Sequence, residues 1–213
     1  MGFKGLAIAL FLALGGAAVP GQAFAEAPVK IIGFGDSLMA GYQLQSDEGF
    51  PARLEAALKA RGHDVAIADA GVSGDTTSGG LARLDWSIPD GADGVILELG
   101  ANDALRGLPP EQTRDNLEAM IVRLQERGIE VMLAGMLAPP NLGADYEAAF
   151  NAIYPELAAR YDLLLYPFFL DGVTGVPGMT LSDGMHPNAK GINQMADGML
   201  PVAEQFVERI KAR

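Results

Sequence analysis

The chain has 213 residues, 49% hydrophobic and 20% charged, with no Cys and a formal net charge of −12 at pH 7. Such a composition belongs to a folded protein with a sizeable core and excludes a disordered or fibrous chain. The acidic balance argues against nucleic acid and anionic lipid headgroups, which are held by Lys and Arg, and against polyanionic small substrates such as coenzyme A esters unless a basic patch offsets the field.

The chain opens with Lys4, an apolar run from Leu6 to Leu14, and small residues ending in Ala23-Phe24-Ala25. This is the three-part pattern of a secretory signal, and the run is short for a bilayer span. The pattern predicts cleavage after Ala25: residues 1–25 are a signal peptide, residues 26–213 a single domain, periplasmic or secreted. Without Cys there is no cysteine-attached lipid, and no stable membrane anchor is expected.

Apolar runs of strand length follow at Val29–Phe34, Val65–Ala68, Val95–Leu99, Val131–Leu137 and Leu163–Tyr166, mostly without polar alternation. Strands buried on both faces look like this, and they belong to parallel sheets covered by helices. Pro51 to Arg61 opens with Pro and closes before Gly62, with Leu54, Ala57 and Leu58 on one face. Glu111 to Arg127 carries Leu117, Met120, Ile121 and Leu124 on one stripe. Ala144 to Tyr161 reads as helix, kinked or divided at Pro155, and the helical spacing from Ile192 to Ile210 has Pro201 as an expected break. The alternation of strand and helix, repeated five times, predicts an α/β fold: a three-layer α/β/α sandwich with a five-stranded parallel sheet.

Ligand sites in such folds lie beyond the carboxyl ends of the strands. The segments leaving the first three strands, GDSLMAGY, AGVSGDTTSGG and GANDALRG, are rich in glycine and small polar residues. A dinucleotide loop is not supported, because counting from Gly33 and Gly35 the third glycine position is Leu38, and no phosphate-loop pattern occurs. With no Cys and only His63 and His186, the ligand supply for a metal is poor, so neither metal nor cofactor is expected.

Acyl transfer by an activated serine needs a hydroxyl, an imidazole to take its proton and a carboxylate to hold that imidazole. His63, between a helix end and a strand, reads as structural. His186 lies in Ser182-Asp183-Gly184-Met185-His186-Pro187, where Gly184 and Pro187 favour a loop. There the Asp183 carboxylate can reach Nδ1 and leave Nε2 facing outward, a base unit that the fold would have to bring to Ser37. Taken singly, Asp36, Ser37, Asn102 and Asp103 could equally be helix caps. The G-x-S-x-G elbow does not fit, since Met39 and Asp75 stand at its last position after Ser37 and Ser73.

Gly35-Asp36-Ser37-Leu38 resembles the first block of the GDSL, or SGNH, hydrolases. Gly74 within Ser73-Gly74-Asp75-Thr76-Thr77 resembles the second block, Gly100-Ala101-Asn102-Asp103 the third and Asp183-Gly184-Met185-His186-Pro187 the last, in family order. Gly80-Leu81-Ala82-Arg83-Leu84 and Ala152-Ile153-Tyr154-Pro155 are similar to the bacterial periplasmic branch with thioesterase, lysophospholipase and arylesterase activities. The resemblance implies a flavodoxin-like fold, Ser37 as nucleophile, His186 as base and Asp183 as its orienting acid. It also implies an oxyanion hole made by the Ser37 and Gly74 N–H groups and the Asn102 amide. Ala101 and Met39 depart from the usual residues at positions that bear on substrate shape.

Leu105 and Leu108, with Met136, Leu137 and Pro139 after the fourth strand, are candidates for an acyl groove or for ordinary packing. The expected partner is a small-molecule ester or a lipid-like substrate: aryl esters, short to medium acyl esters, thioesters or lysophospholipids. A carbohydrate O-acetyl esterase is the alternative, disfavoured by a single Trp, and a non-catalytic binding module of the same fold is a third.

Overall fold

A computed structural model describes residues 1–2 and 27–213; the expected signal peptide, residues 1–25, lies outside the described residues apart from its first two. Five strands, β1 (Val29–Gly35), β2 (Val65–Gly71), β3 (Gly94–Leu97), β4 (Glu130–Ala134) and β5 (Leu164–Tyr166), form one parallel sheet in the order β2-β1-β3-β4-β5. From Ile31 onward β1 is buried, and all of β3 is, as expected of strands covered on both faces.

The chain starts inside the sheet, steps to one edge as β2, then crosses back to β3. Right-handed crossovers put the connecting helices of these two steps on opposite faces. Accordingly α2 (Phe50–Ala60) packs on the last helix, α8 (Ala189–Lys211), while α3 (Thr77–Ser87) packs on α5 (Pro110–Glu126). The reversal between β1 and β3 opens a crevice at their carboxyl ends. The short helices α1 (Ser37–Ala40) and α4 (Ala101–Leu105) leave the strands at this crevice.

Aromatic side chains close the two core layers. Phe50 of α2 meets Phe169 edge-on at 4.7 Å between ring centroids. On the other side Tyr154 is buried and satisfies its hydroxyl by donating to Leu99 O at 2.8 Å.

Most sequence-based elements are present, with instructive differences. Between β2 and β3 the alternation calls for a helix, although no helical pattern marks it in the sequence. Thr76 caps its start, its side chain accepting from Gly79 N–H, so the threonines begin a helix that then includes both glycines. The fourth strand stops at Ala134 instead of Leu137, and Met136 onward turns over the end of the sheet. Pro155 does coincide with a division: α6 (Ala144–Asn151) ends at Ala152, and α7 (Ile153–Tyr161) takes the proline into its first turn, where no N–H is needed.

Pro201, by contrast, breaks nothing: α8 runs unbroken through it. Pro201 and Asp197, whose carbonyl loses its helical donor, both face solvent, so water can replace the missing bond. Pro201→Ala should therefore stabilise the protein by about 1–3 kcal/mol, read as a rise in urea-unfolding free energy. A fall would show that packing depends on the ring.

Candidate active site

Ser37 follows β1 directly. Asp36 caps the short turn α1, its Oδ1 accepting the Leu38 N–H at 2.9 Å, and Gly41 closes the turn in the left-handed conformation. The turn sets Ser37 at the crevice, 8% exposed.

His186 arrives from the other end of the chain. A tight loop holds it: Leu181 N–H donates to His186 O at 2.8 Å, Thr180 bridges Pro187, and Gly184 N–H donates to Leu181 O at 3.1 Å. Asn188 then caps α8 by accepting from the Lys190 and Gly191 N–H groups. In this loop Asp183 Oδ2 lies 2.7 Å from His186 Nδ1, and His186 Nε2 lies 2.9 Å from Ser37 Oγ. Oδ1 of Asp183 accepts the N–H groups of Met185 (2.9 Å) and His186 (3.0 Å). The Met185 N–H, the imidazole and the His186 N–H together hold the Asp183 carboxyl down at about 2. The Tyr42 ring packs against the imidazole at 4.5 Å between centroids, a contact without a sequence signal beyond its nearness to Ser37.

Asn102 leaves β3 on α4 and donates one amide hydrogen to Asp36 Oδ2 at 2.9 Å. A carboxamide has two N–H bonds, so the second remains for a ligand. Gly74 sits in the turn after β2 at φ +83°, a left-handed conformation that favours glycine. Its carbonyl accepts from Arg106 at 2.7 Å, while Asp75 beside it pairs with Arg83 at 2.6 Å. Arg83 also donates to Ala70 O and Gly35 O and lies 4.0 Å from the centroid of the Phe34 ring, tying the ends of β1 and β2 together. Asp103 ties in the third loop by accepting from the Thr77 N–H (2.8 Å) and hydroxyl (2.5 Å).

A cavity of about 530 Å³ opens over Ser37, Asn102 and His186. Leu105, Met136, Leu137 and Pro139 line it; Phe168, Leu170 and Met185 add apolar wall that the sequence did not mark. Gly74 is not among the lining residues. Leu108 is a correction: it lies away from the cavity, and its carbonyl accepts the Tyr146 hydroxyl at 2.8 Å. Met39 is another, since it is fully buried in the core and shapes no substrate surface, whereas Ala101 does line the cavity. His63 lies between Glu204 (3.6 Å) and Glu208 (3.5 Å) of α8, consistent with a structural role.

A serine, a histidine and an aspartate in hydrogen-bonded series at the carboxyl end of an open parallel sheet define the class of α/β serine hydrolases. Residues 34–192 match the model of the GDSL-like Lipase/Acylhydrolase family, and the chain belongs to that family. It is 38% identical to an arylesterase of Vibrio mimicus over 89% of this chain and 94% of that one. It is 36% identical to the thioesterase 1/protease 1/lysophospholipase L1 of Escherichia coli over 86% of this chain and 87% of that protein. Among solved structures it resembles AlinE4, an SGNH-hydrolase family esterase (45% identity, TM-score 0.72, 86% of this chain and 98% of that one). A crystal structure of TesA is similar at 37% identity and TM-score 0.78, over 83% of this chain and 99% of that one.

Asp36 behaves unlike Asp183. Burial pushes its carboxyl up to about 6, although the Leu38 N–H and the Asn102 amide pull it down. A carboxyl raised on folding contributes stability below its unfolded value near 4, and that contribution is lost as pH rises towards 6. Asp36→Asn has no such proton to lose. The unfolding free energy of the variant, relative to wild type, should rise between pH 4 and pH 6.5 in parallel urea titrations; a constant difference would contradict the raised value.

Proposed function

We propose that Ser37, His186 and Asp183 carry out the chemistry of this serine esterase, a hydrolysis of carboxylic esters through an acyl-enzyme. The observation that carries the proposal is the unbroken series Ser37 Oγ, His186 Nε2, His186 Nδ1, Asp183 Oδ2, with separations of 2.9 and 2.7 Å. In the first step Oγ bonds to the ester carbonyl carbon as Nε2 takes its proton. The carbonyl oxygen becomes an oxyanion that accepts from the Ser37 N–H, the Gly74 N–H and the second Asn102 amide hydrogen. The imidazolium then protonates the leaving oxygen, the ester C–O bond breaks, and the acyl group remains on Ser37. Water repeats the sequence in reverse: Nε2 takes its proton, the hydroxide adds to the acyl carbon, and Ser37 Oγ leaves with the proton returned. Asp183, ionised throughout, balances the imidazolium each time it forms.

The acyl chain fits the wall formed by Leu105, Met136, Leu137 and Pro139, and the alcohol portion faces the open side. Aryl esters, acyl thioesters and lysophospholipids each offer an apolar group beside the scissile carbonyl, aryl in the first and acyl in the others, and the names of the relatives cover these substrates. Residues 1–25 are proposed as a cleaved secretory signal ahead of a single domain, which places the enzyme in the periplasm or outside the cell. In the described residues no helix is long and apolar enough to cross a membrane.

The decisive assay uses p-nitrophenyl esters of increasing acyl length. Ser37→Ala should lower kcat by roughly 10³-fold or more, and Asn102→Ala by about 10²–10³-fold. His63→Ala should stay within about twofold of wild type, in keeping with its distance from the chemistry. Activity retained by Ser37→Ala would sink the scheme, and a folded but inactive His63→Ala would show that the second histidine was misassigned.

A further inference from the structure

Beneath the nucleophile turn lies a carboxyl group that the hydrolytic scheme does not use. Glu98, one residue past β3, is fully buried. Its backbone N–H continues the sheet by donating to Phe34 O at 2.8 Å. A regular parallel ladder would next join the Asp36 N–H to the Glu98 carbonyl oxygen. That N–H instead donates to the side-chain Oε2 of Glu98 at 3.1 Å. Gly35 makes the room: a Cβ there would lie 2.3 Å from Glu98 Oε2.

The start of a helix leaves N–H groups without helical partners. Here the Leu38 N–H goes to Asp36 Oδ1, the Ala40 N–H to Asp36 O, and that of Asp36 to Glu98. Among the described residues the Ser37 N–H has no partner. It is therefore free for an oxyanion.

We propose that Glu98 is the positioning residue of this turn: by holding the N–H group just before Ser37 it aims the Ser37 N–H and Oγ at one point of the cavity. It acts also on Asn102, because the Asp36 whose N–H it holds is the acceptor of the Asn102 amide. Burial first, and then the neighbouring Asp36 carboxyl, push Glu98 well above the usual carboxylate range and so favour its neutral form. Oε1 has no hydrogen-bond partner and can carry the proton, while Oε2 does the accepting. A group that works through one neutral acceptor oxygen can be replaced by an amide.

The proposal rests on Ser37 as nucleophile. Its test compares Glu98→Leu and Glu98→Gln, with p-nitrophenyl esters as substrate. Glu98→Leu should lower kcat by about 10- to 100-fold with KM within about threefold, since misaligned oxyanion donors weaken the transition state rather than substrate binding. Glu98→Gln should recover kcat to within about threefold of wild type. Glu98→Asp, whose carboxyl is withdrawn by one methylene, carries the same expectation as Glu98→Leu and replaces it if Leu fails to fold. Wild-type kcat in a folded Leu or Asp variant overturns the proposal. So does a loss expressed in KM alone, a Gln variant as impaired as Leu, or failure of both Leu and Asp to fold, which would make the role purely structural. Activity retained by Ser37→Ala strikes the nucleophile assignment instead, whatever the Glu98 variants do.

Discussion

The hydrogen bond between Ser37 Oγ and His186 Nε2 joins residues 149 positions apart in the chain, and both must be placed to a few tenths of an ångström. No local segment can do this; the sheet order does. Because β1 and β3 are neighbours whose connections run in opposite directions, Ser37 and Asn102 emerge side by side. His186 reaches the same point only because β5 and the loop after it return the chain to the carboxyl edge before α8 begins. The Asn188 cap and the bridge between Thr180 and Pro187 fix the two ends of that loop. Asp183 and His186 then need only each other.

Around this bond lies a shell of buried polar groups that would destabilise the fold if left unpaired. Arg83 joins the ends of two strands to Asp75, Asp103 joins α4 to the start of α3, and Asp36 joins the nucleophile turn to Asn102. Each link crosses between segments that a loop-by-loop account would treat as independent. The three glycine-rich exits from β1, β2 and β3 are thus tied to one another, which in the proposed mechanism keeps oxyanion donors from different strands pointed at a common place. Fully satisfied networks of this kind specify a single arrangement in a way that apolar contacts alone do not.

The parts of this design legible in the sequence are those with local causes. Buried parallel strands show as apolar runs, helix ends as Pro and Gly, and the geometry of Asp183 and His186 as a three-residue spacing inside a loop marked by Gly184 and Pro187. What escaped has non-local causes. Phe168 and Leu170 follow a three-residue strand with no periodicity of their own, so only the folded path of the chain shows that they face the cavity. Leu108 looks as suitable as Leu105 in sequence; the turn after α4 points one at the cavity and sets the other beside Tyr146. Pro201 looked like a helix break because propensity considers the helix alone, whereas α8 is held by the core along one face and exposes the proline on the other. Glu98 read as an ordinary residue of an apolar strand end, because nothing local says that its carboxyl replaces a rung of the ladder.

The two aspartates show why sequence adjacency to the nucleophile is a poor guide to role. An acid that supports a histidine base must stay ionised while the imidazolium forms, or the positive charge goes unbalanced. Asp183 meets this demand at the surface, where water limits the desolvation cost and two N–H groups plus the imidazole favour its charge, holding it at about 2. Asp36 touches Ser37 in the chain but is enclosed, and burial pushes its carboxyl up to about 6, against its charged form. Its two oxygens are already committed to the Leu38 N–H and to Asn102. Burial makes Asp36 a link between the Ser37 turn and Asn102, and exposure leaves Asp183 as the charged partner of His186. The division of labour follows from where each carboxyl sits relative to water, more than from where it sits in the chain.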